Sequence, residues 1–354
     1  MNPDVILMLL VVGALAIYAV VGGADFGAGV WEFNTNLRSS DSEKRLLYKA
    51  IGPVWEANHV WLIFVLIVLW TGFPHGFAAI CRIAAMPLAL ALVGIVFRGA
   101  AYAFRSSMSG LPHQRRVWEP VFALASTAAP FFLGCTIGCL ASEQPSISSD
   151  GQFSGSWLSG WISLQSVFFG FFAVGICSFL ASVFLTREAR AFDRQNAESH
   201  PDDAANHTNL ENTWRIRALA MGWVVGSFSI AGLVIAATRM PTIWSGIMER
   251  AWPATLVAIA SGIATIGFTL RRNDWLATIS ASLTVGSVLL GWAWAQYPYV
   301  VIPNITIHDV DTPDNVMWLT IWCIIGGLFV IAPPMTWLYY LFKKNKIAGS
   351  QGGG

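Results

Sequence analysis

Apolar residues fill this chain in long runs, separated by short clusters of Gly, Pro, Asn and charged side chains. A helix needs about 20 mostly apolar residues to cross the hydrocarbon core of a bilayer. By that measure the pattern predicts nine spans, at about 5–27, 54–73, 78–104, 117–141, 157–185, 216–238, 252–270, 275–297 and 315–341. The links are short except about 28–53 and 186–215, which are polar and too brief to hide a soluble domain. The pattern therefore predicts an all-α integral membrane protein, a single polytopic domain over 1–348. Helices 1–4 occupy about 5–141, helices 5–8 about 157–297 and helix 9 about 315–341, and a Gly-rich flexible tail closes the chain at 349–354. The opening Met1-Asn2-Pro3-Asp4 lacks the basic region and small-residue cleavage site of a signal peptide, so the first helix is expected to be retained.

Composition agrees with the pattern. Of 354 residues, 55% are hydrophobic and only 12% charged, against about 25% charged in soluble domains. A net charge of +1 with no basic face gives no reason to expect a nucleic-acid partner. The distribution of Lys and Arg says more. With the N-terminus outside, 17 of the 21 basic residues fall on the cytoplasmic side, including Arg38, Lys44, Arg115, Arg190, Arg272 and Lys343. The opposite loops carry Glu143, Asp150, Asp309, Asp311 and Asp314. The positive-inside rule then predicts the N-terminus outside and the C-terminus in the cytoplasm. The 17 tryptophans gather toward span ends, as an interfacial belt would place them. The five cysteines all lie in apolar runs and read as buried thiols. Cys135 and Cys139 share a helix face, but no His or carboxylate stands beside them to complete a metal site.

A faint internal repeat aligns helices 2–4 with helices 6–8. Pro74 falls on Pro241, Pro87 on Pro253, Arg105 on Arg271, Trp118 on Trp275 and Gly134 on Gly291. The two halves would then share one orientation, with helix 9 left over.

Candidate chemistry is confined to the first third. Asp25, Glu56, His59 and Arg98 are ionisable groups inside apolar runs, where charge is costly and marks a polar pathway or site by default. At 1.5 Å per residue, all four fall in the cytoplasmic half, on three consecutive helices. Glu56 and His59 share a helix face, and Glu119 lies near the same level. The plain structural reading is an ion pair between Arg98 and Glu56 or Asp25 that ties helices together. The functional reading is a proton entry path, because burial and a nearby Arg act in opposite directions on a carboxyl group and can poise it near neutral pH. Of six histidines only His59 lies well inside a helix, so bis-His ligation of a haem is not available within the chain, and His59 with a Met is the ligand pair that stays open. No Cys-x-x-Cys-His, dinucleotide fingerprint or Walker loop occurs.

Two stretches carry a specific resemblance. Gly22-Gly23-Ala24-Asp25-Phe26-Gly27-Ala28-Gly29-Val30-Trp31 resembles the end of helix 1 in subunit II of cytochrome bd-type quinol oxidases. Ile51-Gly52-Pro53-Val54-Trp55-Glu56-Ala57-Asn58-His59-Val60-Trp61 resembles the start of its helix 2. Phe97-Arg98-Gly99, Tyr297-Pro298 and Asn315-Val316-Met317 extend the similarity along the whole chain. The family motif thus falls on Gly23, Asp25, Gly27, Gly29, Pro53, Trp55, Asn58 and Trp61. The resemblance implies two four-helix bundles plus one peripheral helix, in a bacterial inner (cytoplasmic) membrane. It implies a heterodimeric terminal oxidase that oxidises quinol and reduces dioxygen to water. The partner, subunit I, would hold the b-type and d-type haems, and this chain would bind none; a small single-helix subunit is a further candidate partner. Protons for water formation would come from the cytoplasm. Two departures stand out: the leading acid of the first motif is Gly22 here, and the usual Asp of the second is Glu56, with His59 where Gln or Glu is common. They point to a divergent branch, with the cyanide-insensitive type as the candidate. Buried carboxylates and a repeat also suit a proton-coupled secondary transporter, the alternative from a different class.

Overall fold

The computed structural model describes residues 2–35, 41–51, 55–107, 112–143, 146–147, 153–154, 161–199, 209–309 and 312–349. Its helices are α1 (Pro3–Thr35), α2 (Asp41–Ile51), α3 (Trp55–Gly72), α4 (Pro74–Ile83), α5 (Ala85–Ser107), α6 (Pro112–Ala141), α7 (Leu164–Ser199), α8 (Leu210–Arg239), α9 (Pro241–Gly246), α10 (Trp252–Leu270), α11 (Asp274–Gln296) and α12 (Asp314–Gly349). A π-helical turn, Ile247–Ala251, joins α9 to α10. Two small antiparallel hairpins lie between helices: β1 (Ser146–Ile147) with β2 (Phe153–Ser154), and β3 (Tyr299–Val301) with β4 (Ile305–Thr306). Among the described residues seven helices are long and apolar enough to cross a membrane, and the bent pair α3 and α4 would make an eighth. Helix α12 is apolar over a shorter stretch, Asp314–Val330.

Helix form follows from the solvent, since only a chain that satisfies its own backbone donors and acceptors can lie in hydrocarbon. Helix α1 is the hub and packs against α3, α6, α7 and α11. Close approach to α7 depends on Gly27, where a Cβ would run into the Cys177 carbonyl oxygen. At Gly29 a Cβ would likewise meet the Ser126 side chain on α6. Side chains such as Trp70, Trp223, Ile263 and Phe329 stand exposed on the outer surface, as lipid-facing positions would.

Several expected boundaries are corrected. The third span, expected at 78–104, is divided. Pro74 opens the short α4 at 120° to α3, because Phe73 leaves helical backbone (φ −131°, ψ 58°) and the proline has no N–H to continue the ladder. The span proper, α5, begins at Ala85. The segment 28–53 is not all loop, since α1 runs on to Thr35 and the amphipathic α2 buries Leu46 and Leu47. The fifth helix starts at Leu164, with the expected start at 157 outside the described residues, and continues to Ser199, because Arg190 on its charged extension pairs with Glu211 and Asp274 at 3.0 Å each. Helix α12 reaches Gly349, beyond the expected 341, and 350–354 lie outside the described residues.

The break at Met240 before Pro241 has nearly the same backbone (φ −138°, ψ 67°) as that at Phe73 before Pro74. This is the first matched pair of the internal repeat, but the sequel differs: α4 is bent at 120° to α3 and separate from α5, whereas Pro241–Leu270 runs as one span. The interiors differ. Where the first half carries charge, α10 and α11 are joined by hydroxyls, Thr265 to Ser280 at 3.0 Å and Thr284 to Ser261 at 2.9 Å.

The far end of α1 is tied to the segment after β4 by Asp4 and His308 at 2.6 Å. Asp309 accepts from the Thr306 N–H and hydroxyl at 2.8 Å each, and the backbone bond above all holds its carboxyl below the usual range.

Candidate functional site

The buried charge of the first third converges on one ion pair. Asp25 stands ten residues before the end of α1 and Arg98 nine before the end of α5, and both are almost wholly buried. Arg98 Nη2 donates to Asp25 Oδ1 at 2.6 Å, and Asn58 Nδ2 on α3 donates to Asp25 Oδ2 at 3.3 Å. Arg98 Nε donates to Ser126 Oγ on α6 at 3.1 Å. Four helices thus meet at one guanidinium–carboxylate contact. The guanidinium carbon lies 4.8 Å from the Phe26 ring centre and 5.2 Å from that of Phe122, so aromatic faces replace part of its lost hydration. Of the two carboxylates expected to pair with Arg98, Asp25 does so; the side chain of Glu56 lies outside the described residues.

One heptad further along both helices a second pair repeats the arrangement. Arg105 meets Glu32 through both oxygens, at 2.8 and 3.1 Å, and both residues are buried. The Arg105 guanidinium lies 4.9 Å from the same Phe122 ring that faces Arg98. Residue reading missed this pair because it placed Glu32 in a loop and counted Arg105 as a terminal positive charge. The signal was present: Glu32 follows Asp25 by seven and Arg105 follows Arg98 by seven, which keeps both pairs on one face. A third contact, between Arg217 on α8 and the buried Glu43 on α2, was also unforeseen. Arg217 also lies 5.1 and 4.5 Å from the rings of Trp31 and Trp214.

His59 sits beside the first pair, its ring 6.1 Å from Phe26 and 6.4 Å from Tyr18. Glu119 is half-buried on α6, seven residues before Ser126. Among the motif residues, Gly23, Gly27 and Gly29 serve close packing, Gly23 against Leu180. Asn58 binds Asp25, and Trp61 packs partly buried against the core. Pro53 lies outside the described residues, as does the side chain of Trp55. Among the described residues no three His, Cys, Asp or Glu side chains are placed to share a metal ion. Chemically, the arrangement is a polar seam in an apolar wall. It offers fixed opposite charges, a hydroxyl and an amide, with an imidazole alongside.

Comparisons with known proteins agree on one family. The model of cytochrome bd terminal oxidase subunit II matches residues 3–342. A cytochrome bd ubiquinol oxidase subunit 2 of Bacillus subtilis is 24% identical over 335 residues, covering 91% of this chain and 90% of that protein. The cytochrome bd-I ubiquinol oxidase subunit 2 of Escherichia coli K12 is 30% identical over 137 residues, 38% of this chain and 35% of that one. Among solved structures, a chain of the bd oxidase from Geobacillus thermodenitrificans superposes with a TM-score of 0.70 at 19% identity, covering 97% of this chain and 99% of that one. That likeness establishes the fold.

Proposed function

The chain belongs to the cytochrome bd terminal oxidase subunit II family, and we propose that it is the haem-free partner that supports the haem subunit and guides cytoplasmic protons toward it. It is a multi-pass membrane subunit of a quinol oxidase complex, an oxidoreductase, with a subunit I as its partner. In the proposed arrangement nine spans lie in a bacterial inner membrane, with the N-terminus outside and the C-terminus cytoplasmic. One bundle comprises α1, α3–α4, α5 and α6, a second comprises α7, α8, α9–α10 and α11, and α12 stands at the edge. The packing of α5 on α6, α7 on α8 and α10 on α11 supports the pairing of helices within each bundle, while α1 and α6 both pack against α7 where the two bundles meet. The b-type and d-type haems and the quinol-oxidising site then belong to subunit I.

The Asp25–Arg98 pair, braced by Asn58 and Ser126, carries the proton reading. It places a hydrogen-bonding seam within an apolar bundle, near the end of α1 that the Lys and Arg distribution assigns to the cytoplasm. Glu56 and His59, one helix turn apart on α3, are the titratable members, and Glu119 is the candidate at the entrance. The competing reading as a secondary transporter calls for related sites near the midplane of both halves. At the contact of α10 with α11 the second half offers Ser and Thr hydroxyls, and its buried carboxyl among the described residues, Asp274, opens α11 and pairs with Arg190.

The test is purification of the tagged chain from its native membrane. The expected result is a co-purifying larger subunit with a haem d absorption band, and no haem retained by this chain once the two are separated. A preparation free of the larger subunit that binds haem and oxidises quinol would overturn the reading.

A further inference from the structure

Tyr18 lies on α1 seven residues before Asp25, on the same face and two turns deeper. Its ring lies against Gly22, where an added Cβ would sit 3.2 Å from a ring carbon. The residue is only 5% exposed, yet its hydroxyl finds no hydrogen-bond partner among the described residues. The rings of Tyr18, Phe26 and His59 form a triangle with sides of 6.5, 6.4 and 6.1 Å. Phe26 is also the ring that faces the Arg98 guanidinium. The remaining wall is apolar, from Ala129, Cys177, Ile95 and Leu133 among others.

A phenylalanine would fill this space without placing a polar atom there. Buried hydroxyls are nearly always satisfied, by protein or by ordered water, and protein does not satisfy this one among the described residues. We infer that the Tyr18 hydroxyl binds an internal water and passes protons, extending the polar seam from Asp25 and Arg98 past His59 toward the middle of the membrane. The step needs no phenolate. An excess proton on the bound water passes to the Tyr18 oxygen as the phenol releases its own proton to a second water, so the water and the phenol both end neutral, one O–H bond formed replaces one broken, and the positive charge moves on by one site. Tyr18 is thereby an element of the route rather than of the ion pair.

The inference rests on the proton reading above, and the experiment separates the two. Tyr18→Phe and Glu56→Gln are made in the intact oxidase, and quinol-driven oxygen consumption, its solvent deuterium isotope effect and haem content are measured. Tyr18→Phe is expected to lower the rate several-fold and raise the isotope effect at wild-type haem content, which loss of packing alone would not do. If Glu56→Gln slows the enzyme while Tyr18→Phe leaves rate and isotope effect unchanged, the conduit stands and the role of Tyr18 is wrong. If neither variant changes them, the conduit reading fails and this inference with it. A map of the wild-type complex that resolves internal waters gives the independent check. Density at hydrogen-bond distance from the Tyr18 oxygen supports the site, and a dry hydroxyl refutes it even if Tyr18→Phe assembles poorly.

Discussion

Arg98→Leu is expected to destabilise the subunit by about 3–5 kcal/mol, the cost of removing one partner from a buried pair. The loss strands Asp25, whose Oδ1 accepts the 2.6 Å bond from Arg98 and whose Oδ2 retains, among the described residues, Asn58 at 3.3 Å. It also leaves Ser126 Oγ without its Arg98 donor and removes the cation from the faces of Phe26 and Phe122. Thermal unfolding of the purified complex should show an earlier transition and a lower yield. The double variant Arg98→Leu with Asp25→Leu should recover part of the loss, because replacing both members of a buried pair by apolar groups costs less than breaking it. A single variant as stable as wild type would mean the pair contributes nothing to assembly.

Gly27→Ala should be comparably disruptive although it adds one methyl group. The new carbon would overlap the Cys177 carbonyl oxygen, with the Ala181 side chain 2.8 Å away. The obstacle is backbone, so no rotamer change relieves it, and α1 must move off α7. Overpacking a tight core costs about 1–3 kcal/mol and occasionally more, and contact with fixed backbone belongs at the upper end. Because α1 also packs on α3, α6 and α11, the shift should propagate to the Asp25 site. Reduced yield and lowered thermal stability of the complex are the expected results. Gly13→Ala on the same helix has open space around it and should be tolerated, which separates crowding from helix propensity.

The long apolar runs made the membrane character legible, and the rarity of charge within them singled out Asp25 and Arg98 before any geometry was available. Helix ends were harder to read. Charged residues beyond an apolar run resemble loop, yet α1 and α7 continue as helix because Glu32 pairs with Arg105 and Arg190 with Glu211 and Asp274. The bend between α3 and α4 depends on Pro74, which the apolar pattern alone places in a link between spans. Ser126 is one serine among many in sequence; only the approach of α6 to α5 makes it a partner of Arg98. Asn58 lay within a recognised motif, but its role depends on a contact 33 residues away in the chain. Tyr18 gave no signal at all, since an aromatic residue in an apolar run reads as packing until its hydroxyl is found unpartnered.

We propose that protons for the oxidase pass through this subunit, and oxygen consumption by a Glu56→Gln complex tests that proposal most directly. Glu56 lies in the first turn of α3, three residues before His59, and is proposed to receive protons from the aqueous side. The variant keeps the side chain's size and one acceptor oxygen, and replaces the titratable carboxyl with an amide that neither binds nor releases a proton near neutral pH. General acid–base groups contribute about 10²–10⁴-fold where they are obligatory; a proton relay that never touches the reacting oxygen should contribute less, on the order of tenfold. The account predicts a fall of that size in quinol-driven oxygen consumption, with the haem spectrum of the complex unchanged. Turnover at the wild-type rate with full haem content would contradict it.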